Sequence, residues 1–244
     1  MSNYDFLSLV NDVNGRVNET PLTSAKFADA VGFYSTAKEA VNSAIRDINQ
    51  QAYQWPHNHT TYDETLTAGT SRYAFQTDSK NIDFGTFRVQ EDASLGNDTQ
   101  LLQVLDYDDY LSLYLQYEYT TSTTDRSVPR YVSRAPNLGY VVYPVPDKAY
   151  TLTYEYYKLP VDLAASTDTP SLPVAFRHVI VDGAMVHAYN FRGDTETADR
   201  IQAKFMEGID RLRQIYIGSD FEYLRDTRLH RNTMQFSSTH GSVS

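Results

Sequence analysis

Apolar residues recur along this chain with a helical period at both ends and with an alternating period in the middle. Phe6, Leu7, Leu9, Val10, Val13 and Val17 predict a first helix of about four turns, capped by Ser2 or Asn3 and stopping near Asn18. A connector holding Pro21 leads to a second helix carrying Phe33, Ala37, Val41, Ala44, Ile45 and Ile48, which runs to about Ala52. Near the other end, Ser171 to Gly218 predicts two helices folded against each other across Gly193 and Asp194. Ser171 serves as a cap, Pro173 fits a first turn that needs no amide donor, and Gly193 takes the left-handed stop position. In the first of these helices Ile180, Val181, Ala184, Met185, Ala188 and Phe191 line one face while Phe176, Val179 and Val186 line the opposite one. A helix apolar on both faces is expected to be covered on both. Its follower, roughly Glu196 to Ile217, has one stripe (Ala198, Ile201, Phe205, Ile209, Leu212, Tyr216) and a wet face with Glu196–Arg200 and Glu207–Arg211 pairs.

From Thr60 to Lys158 the period shortens, and runs rich in Tyr, Thr, Val and Leu alternate with turn clusters such as Thr67–Thr70 and Leu95–Asp98. Tyr73–Phe75, Phe87–Val89, Leu101–Leu105 and Tyr131–Val132 are predicted strands. Gly139–Tyr143 is expected to pair with Tyr150–Tyr156 through Pro144–Lys148, and Asp106 to Tyr117 to form a short helix behind an aspartate cap running into a strand. The predicted fold is therefore α+β: an antiparallel helical bundle of about four helices, two N-terminal and two C-terminal, interrupted by a large antiparallel β insertion and followed by an extended C-terminal arm. The domain limits are 1–54 for the N-terminal helices, 55–160 for the β-rich insertion, 161–218 for the C-terminal hairpin and 219–244 for the arm.

Charge changes the picture once it is divided. Residues 1–170 hold 12 Lys/Arg against 22 Asp/Glu, while residues 171–244 hold 9 of each, so the net charge of −10 lies in the first part. Such a surface repels phosphates and argues against a protein that grips nucleic acid, although nucleic acid could slide past it. Fifteen of the 20 tyrosines fall between Tyr53 and Tyr157. Tyrosine suits both half-buried strands and surfaces that meet other chains, and composition leaves these alternatives open. No apolar run is long enough to span a membrane, the start Met1–Asp5 is not that of a signal peptide, and the absence of cysteine removes disulfides and thiolate metal sites.

Chemistry-bearing groups are sparse. His57, His59, Asp63 and Glu64 could hold a metal but read better as an exposed polar loop, and His178 with Asp182 as a hydrogen-bonded structural pair. Asp106, Asp108 and Asp109 could supply paired carboxylates for glycoside hydrolysis, yet adjacent acids point in different directions and a helix cap accounts for them. No nucleophile elbow, zinc-protease, P-loop or dinucleotide motif is present, so neither an enzyme nor a cofactor is expected. Arg177 sits amid apolar residues and must be paired, either within its own chain or across a subunit boundary.

Two N-terminal helices ending in a Trp-bearing strand at Trp55, a β insertion, an extended Tyr-rich strand, then Pro173, Phe176, Arg177, Ile180 and Val181 in a Pro-x-x-Phe-Arg-x-x-Ile-Val segment, Ala184, and a closing Phe191-x-Gly193 resemble the head-to-tail adaptor proteins of short-tailed bacteriophages, the tail tubular protein A family. The likeness covers most of residues 4–217. It implies a non-enzymatic virion subunit at the head–tail junction, assembled in the host cytoplasm as a homo-oligomeric ring of twelve copies. Such a ring binds the portal protein, receives the tail nozzle protein and continues a channel through which DNA passes without specific binding. Arg225, Arg228 and Arg231 in the arm become candidates for portal contact, and Arg177, Phe176, Val179 and Val186 candidates for the subunit interface. The competing readings are another phage ring or tail-completion protein and, from a different class, a carbohydrate-binding or carbohydrate-cleaving tail protein whose Tyr-rich sheet meets sugar.

Overall fold

The computed structural model describes residues 4–52, 54–90, 99–119 and 122–217, and Arg225, Arg228 and Arg231 lie outside them. The chain divides into two units: Asn58–Leu159 forms one, and the segments before and after it form the other. The described residues contain seven α-helices and two sheets, a mixed α+β architecture.

In the helical unit, α1 spans Phe6–Arg16, α2 Ser24–Phe27, α3 Phe33–Gln50, α6 Arg177–Arg192 and α7 Thr195–Tyr216. The cap of α1 is Asp5, whose carboxylate accepts from the Ser8 N–H at 2.8 Å while the Ser8 hydroxyl accepts from the Asp5 N–H at 3.1 Å. This reciprocal box satisfies two donors that helix geometry would otherwise leave open. Pro173 is extended, and a 3₁₀ turn over Val174–Phe176 precedes α6, so the helix starts four residues later than its proline suggests and lacks a side-chain cap. Gly193 ends it at φ 79°, the left-handed stop expected there, and the Asp194 carboxylate accepts from the Thr197 N–H to begin α7.

Helix α6 is the centre of this unit and packs against α1, α3 and α7. Val179 to Val186 is buried without a break. Gly183 permits the closest approach: a Cβ there would stand 2.6 Å from Cε2 of Phe205 on α7 and 2.9 Å from Cβ of Ala44 on α3. The face of α6 that the sequence left without a partner is thus covered by the chain itself. The connector from Pro160 to α6 is anchored by Asn42, which donates to the Leu163 carbonyl at 3.1 Å and accepts its N–H at 3.0 Å. Trp55 lies in no strand, since a 3₁₀ turn over Pro56–Asn58 separates it from the first strand at His59; it is fully buried and donates from Nε1 to the Ile48 carbonyl at 3.0 Å, which ties it to α3 instead.

In the β unit, β1 is His59–Leu66, β2 Arg72–Ala74, β3 Ser79–Gln90, β4 Thr99–Leu101, β5 Gln103–Val104, β6 Tyr131–Ala135, β7 Gly139–Tyr143 and β8 Tyr150–Lys158. One sheet has the order β1-β8-β3-β4 and the other β2-β7-β6-β5. All pairings are antiparallel except β5 with β6, which is parallel. The expected hairpin between Gly139–Tyr143 and Tyr150–Tyr156 does not form. β7 pairs with β6 and β2, whereas β8 pairs with β1 and β3. The reason is burial: Leu152, Tyr154 and Tyr156 on β8 and Tyr140 and Val142 on β7 each need an apolar cover, and they obtain it by facing one another in a common core with Phe87 and Leu66. The segment read as one strand over Leu101–Leu105 is divided between the two sheets as β4 and β5.

Helices α4 (Tyr107–Leu113) and α5 (Leu115–Glu118) lie over the other face of β6 and β7, where Tyr110, Ala135 and Val141 form a small second core with Tyr114 and Tyr143 beside it. Asp106 caps α4 as expected, accepting from the Asp108 N–H, but the chain continues as helix α5 rather than as a strand. Glu118 explains the difference. Its carboxylate takes two bonds from the Arg72 guanidinium, at 2.5 and 3.0 Å, and a third from the Tyr110 hydroxyl at 3.1 Å, and this pairing needs the helical turn.

Candidate functional site

The residues singled out for chemistry do not converge. His57 stacks on Trp55 with ring centres 5.6 Å apart, and neither ring nitrogen has a hydrogen-bond partner among the described residues. Its burial disfavours the charged form and holds its pKa down at about 4. His59 pairs with Glu155 at 3.2 Å and stacks on Tyr157, Asp63 accepts from the Thr153 hydroxyl at 2.6 Å, and Glu64 accepts from the Tyr140 hydroxyl at 2.5 Å. Burial pushes the Glu64 carboxyl up from its ordinary value, and burial with the adjoining carboxylate pushes the Tyr140 hydroxyl up. His59, Asp63 and Glu64 thus each have a structural partner already, and His57 has only its stack on Trp55. No group of three or more metal-ligating side chains is brought together among the described residues.

Asp182 does not bond to His178. Its buried carboxylate is paired with Arg16 at 2.5 Å and Lys204 at 3.0 Å, while His178 stacks beside Phe176. Two cations with exposed heads reach inward to one buried acid, so the charge is neutralised where water cannot do it.

Arg177 is paired within its own chain: Nε donates to Asp12 at 2.7 Å and a terminal nitrogen to the Ser8 carbonyl at 3.2 Å. Phe176 is buried and meets Tyr216 edge-on at 5.7 Å, Val179 is buried against Gly208 of α7, and Val186 is buried as well. The apolar side chains left exposed in this unit lie elsewhere, at Val31, Val161, Val174, Phe191 and Ile215. Val174 and Phe191 stand just before and near the end of α6, and periodicity alone had placed Phe191 on a covered face.

The β unit exposes Leu101, Val104, Leu111, Leu113, Tyr119, Leu138 and Leu159. Thr99 to Leu105 reads Thr-Gln-Leu-Leu-Gln-Val-Leu, with no charge and no proline, and it supplies the outermost strand of both sheets. Natural sheets usually blunt such edges with charge, proline or a bulge. Beside the tip of the β6–β7 hairpin lies an open concavity of about 290 Å³ lined by Arg72, Tyr73, Ala74, Ala135, Pro136, Asn137, Gly139 and Tyr140. Arg72 is engaged with Glu118 and Tyr140 with Glu64, and the rest of the lining is aromatic and aliphatic apart from Asn137, with no acid–base pair among these residues.

The model of the SU10 adaptor protein family matches residues 4–231, nearly the whole chain, and the chain belongs to that family. It is accordingly a bacteriophage adaptor, a structural component of the virion. No curated protein matches the chain.

Proposed function

We infer that copies of this chain assemble into the oligomeric ring of the head-to-tail connector, which binds the portal on one side, receives the tail nozzle on the other and continues the DNA channel without catalysis. The single observation that carries the reading is the family match over residues 4–231, which spans both units and reaches as far as Arg231. Within the reading, the phage is short-tailed, the protein is kin to tail tubular protein A, the ring has twelve copies, and the arm with Arg225, Arg228 and Arg231 grips the portal.

The charge distribution supports a channel role. Residues 58–159 carry 14 Asp/Glu against 8 Lys/Arg, so DNA phosphates would be kept moving rather than held. The uncharged edge Thr99–Leu105 supports contact between copies, because an open strand edge is completed by another strand. Arg177, Phe176, Val179 and Val186 contribute to the ring, on this account, by fixing α6. The exposed Val174 and Phe191 supply its apolar contact.

The test is to mix purified protein with the portal ring of the same phage and to weigh the product by native mass spectrometry. One adaptor per portal subunit is expected, and deletion from Arg225 onward should leave a folded chain that docks poorly. Persistence as a free monomer at every concentration would refute the connector role, and full docking by the truncated chain would remove the arm from it.

A further inference from the structure

The sheet β1-β8-β3-β4 ends in two strands of unequal chemistry. Among the described strands, β4 pairs with β3 alone and β1 with β8 alone. The direction of their backbone groups follows from the ladders. The Leu102 N–H donates to the Phe87 carbonyl at 2.8 Å, and in an antiparallel ladder alternate residues turn their N–H and C=O to the same neighbour. Gln100 therefore bonds back to β3, while Thr99 and Leu101 turn their groups outward. On β8 the Glu155 N–H donates to the Thr86 hydroxyl at 2.9 Å and the Leu159 N–H to the Asp78 carbonyl at 2.7 Å, both on the β3 side. Tyr154 and Tyr156 are thus left to bond β1, where they stand opposite Tyr62 and Thr60. His59, Thr61, Asp63 and Thr65 then turn their backbone groups to the open edge. These four residues are exposed, as are Thr99 and Leu101. Leu101 stands opposite Arg88, Arg88 opposite Thr153 and Thr153 opposite Asp63, so all four share one face of the sheet. Leu101 is an apolar side chain, 63% exposed, at the rim of that polar face.

We propose that β4 of one copy pairs antiparallel with β1 of the next, Thr99 and Leu101 exchanging backbone hydrogen bonds with alternate residues of His59–Thr65, so that the sheet continues from copy to copy. The proposal rests on the reading that copies of this chain form a ring, and it names the surfaces that join them. Strand direction agrees. Three antiparallel pairings separate β1 from β4, so the two run oppositely within a copy. A ring of many copies turns each only slightly against its neighbour, so they run oppositely across the junction too. Charge agrees as well. Thr99-Gln100-Leu101 carries none, whereas β1 presents Asp63 at its open edge. Two β1 edges meeting about a two-fold axis would bring like carboxylates together, and β4 receives β1 without that conflict. Arg88, one strand in from Leu101, then lies about 10 Å, two strand spacings, from β1 of the next copy on the face that carries Asp63, within the combined reach of the two side chains. Two β4 edges meeting would stop at a pair and leave every β1 edge open, whereas β4 on β1 is a head-to-tail contact that propagates until the ring closes. The added strand also completes the unpaired edge and takes Leu101 out of water.

The chain has no cysteine, so introduced cysteines report cleanly. Within one copy positions 61 and 101 are three strand spacings apart, about 14 Å, and cannot form a disulfide. Chains with Leu101→Cys are mixed with chains holding cysteine in place of His59, Thr61, Asp63 or Thr65, in the presence of the portal ring of the same phage, and oxidised with copper phenanthroline. At least one of these pairs should give a covalent heterodimer that L101C with Thr60→Cys does not, since Thr60 points to the other face. A chain carrying both cysteines of that pair should give a ladder of covalent multimers. Multimers in native mass spectrometry with no cross-link at any of the positions would overturn the edge pairing while leaving the ring reading intact. Covalent dimers from L101C alone would overturn it in favour of two β4 edges meeting. Monomers only would overturn the ring reading, and the proposal with it. Leu101→Pro removes an outward N–H that β3 does not use, so the Tm of the monomer should stay within about 2 °C of the original. The concentration at half assembly should rise about tenfold, for loss of one backbone bond and one covered leucine. An unchanged half-assembly concentration would overturn the proposal, and a larger fall in Tm would overturn the placement of that N–H at the open edge, on which the proposal depends.

Discussion

Substitution of Gly183 by alanine should destabilise the protein, against the rule that alanine is the better helix former. The new Cβ would stand 2.6 Å from Phe205 Cε2 and 2.9 Å from Ala44 Cβ. Phe205 and Ala44 are themselves buried, so neither can swing into solvent. Forcing a methyl group into such a site costs typically about 1–3 kcal/mol. Replacing glycine within a helix returns about 0.5–1 kcal/mol. The net expectation is a loss of about 1 kcal/mol, or a fall in Tm of about 2–4 °C. Gly15→Ala is the matched control, because Gly15 also lies in a helix but a Cβ there meets nothing within 4 Å. That variant should gain a few tenths of a kcal/mol up to about 1. Urea unfolding followed by far-UV circular dichroism reads both, with midpoints moving in opposite directions at an unchanged slope. If G183A proved as stable as the original, α6 would not be clamped between α3 and α7 as described, and the account of its covered faces would fail.

Two further outcomes follow from buried and paired groups. His57 has a pKa held down at about 4 against 6.5 when free, so its neutral form favours the fold. The contribution is complete above about pH 6.5 and is lost as pH falls toward 4. Full linkage would be roughly 3 kcal/mol, and the solvent that reaches the ring reduces it to about 1.5. Thermal unfolding between pH 7 and 4.5 should therefore show a steeper loss for the original chain than for His57→Phe, and parallel curves would show that the ring is not desolvated. Arg177→Met should lower the stability of the isolated chain by about 1 kcal/mol, because it removes the guanidinium that pairs with the Asp12 carboxylate. An unchanged Tm with weakened oligomerisation would instead reinstate an ion pair between subunits.

The helical part of the fold was legible because its signal is local. Phe6 to Val13, Ala37 to Ile48, Ile180 to Ala188 and Phe205 to Leu212 repeat within a turn or two, and Gly193 terminates its helix by a rule of backbone geometry. The β part was legible in kind but not in pairing. The alternation of Leu152, Tyr154 and Tyr156 identifies a strand with one buried face, but the choice of β1 and β3 over β7 as neighbours is set by residues 61 to 98 positions away, from Gln90 opposite Thr151 to His59 opposite Tyr157. β1 itself gave little signal, since its inward positions include Thr60 and Glu64, and Glu64 is accommodated only through Tyr140, 76 residues later. The same distance problem hid the partner of Arg177, which is Asp12, 165 residues earlier. Leu138 illustrates the converse: as a letter it stands before the predicted strand Gly139–Tyr143 and drew no reading, and only the backbone angles and exposure reveal an apolar residue at positive φ in water.

The proposed placement of this adaptor between head and tail is tested most directly by imaging the particle at a resolution that separates helices from sheets. The account predicts a ring of density beneath the portal into which copies of the helical unit, with α6 flanked by α1, α3 and α7, can be fitted one per portal subunit. Density at that junction which accommodates neither unit, while the protein is found elsewhere in the particle or not at all, would contradict it.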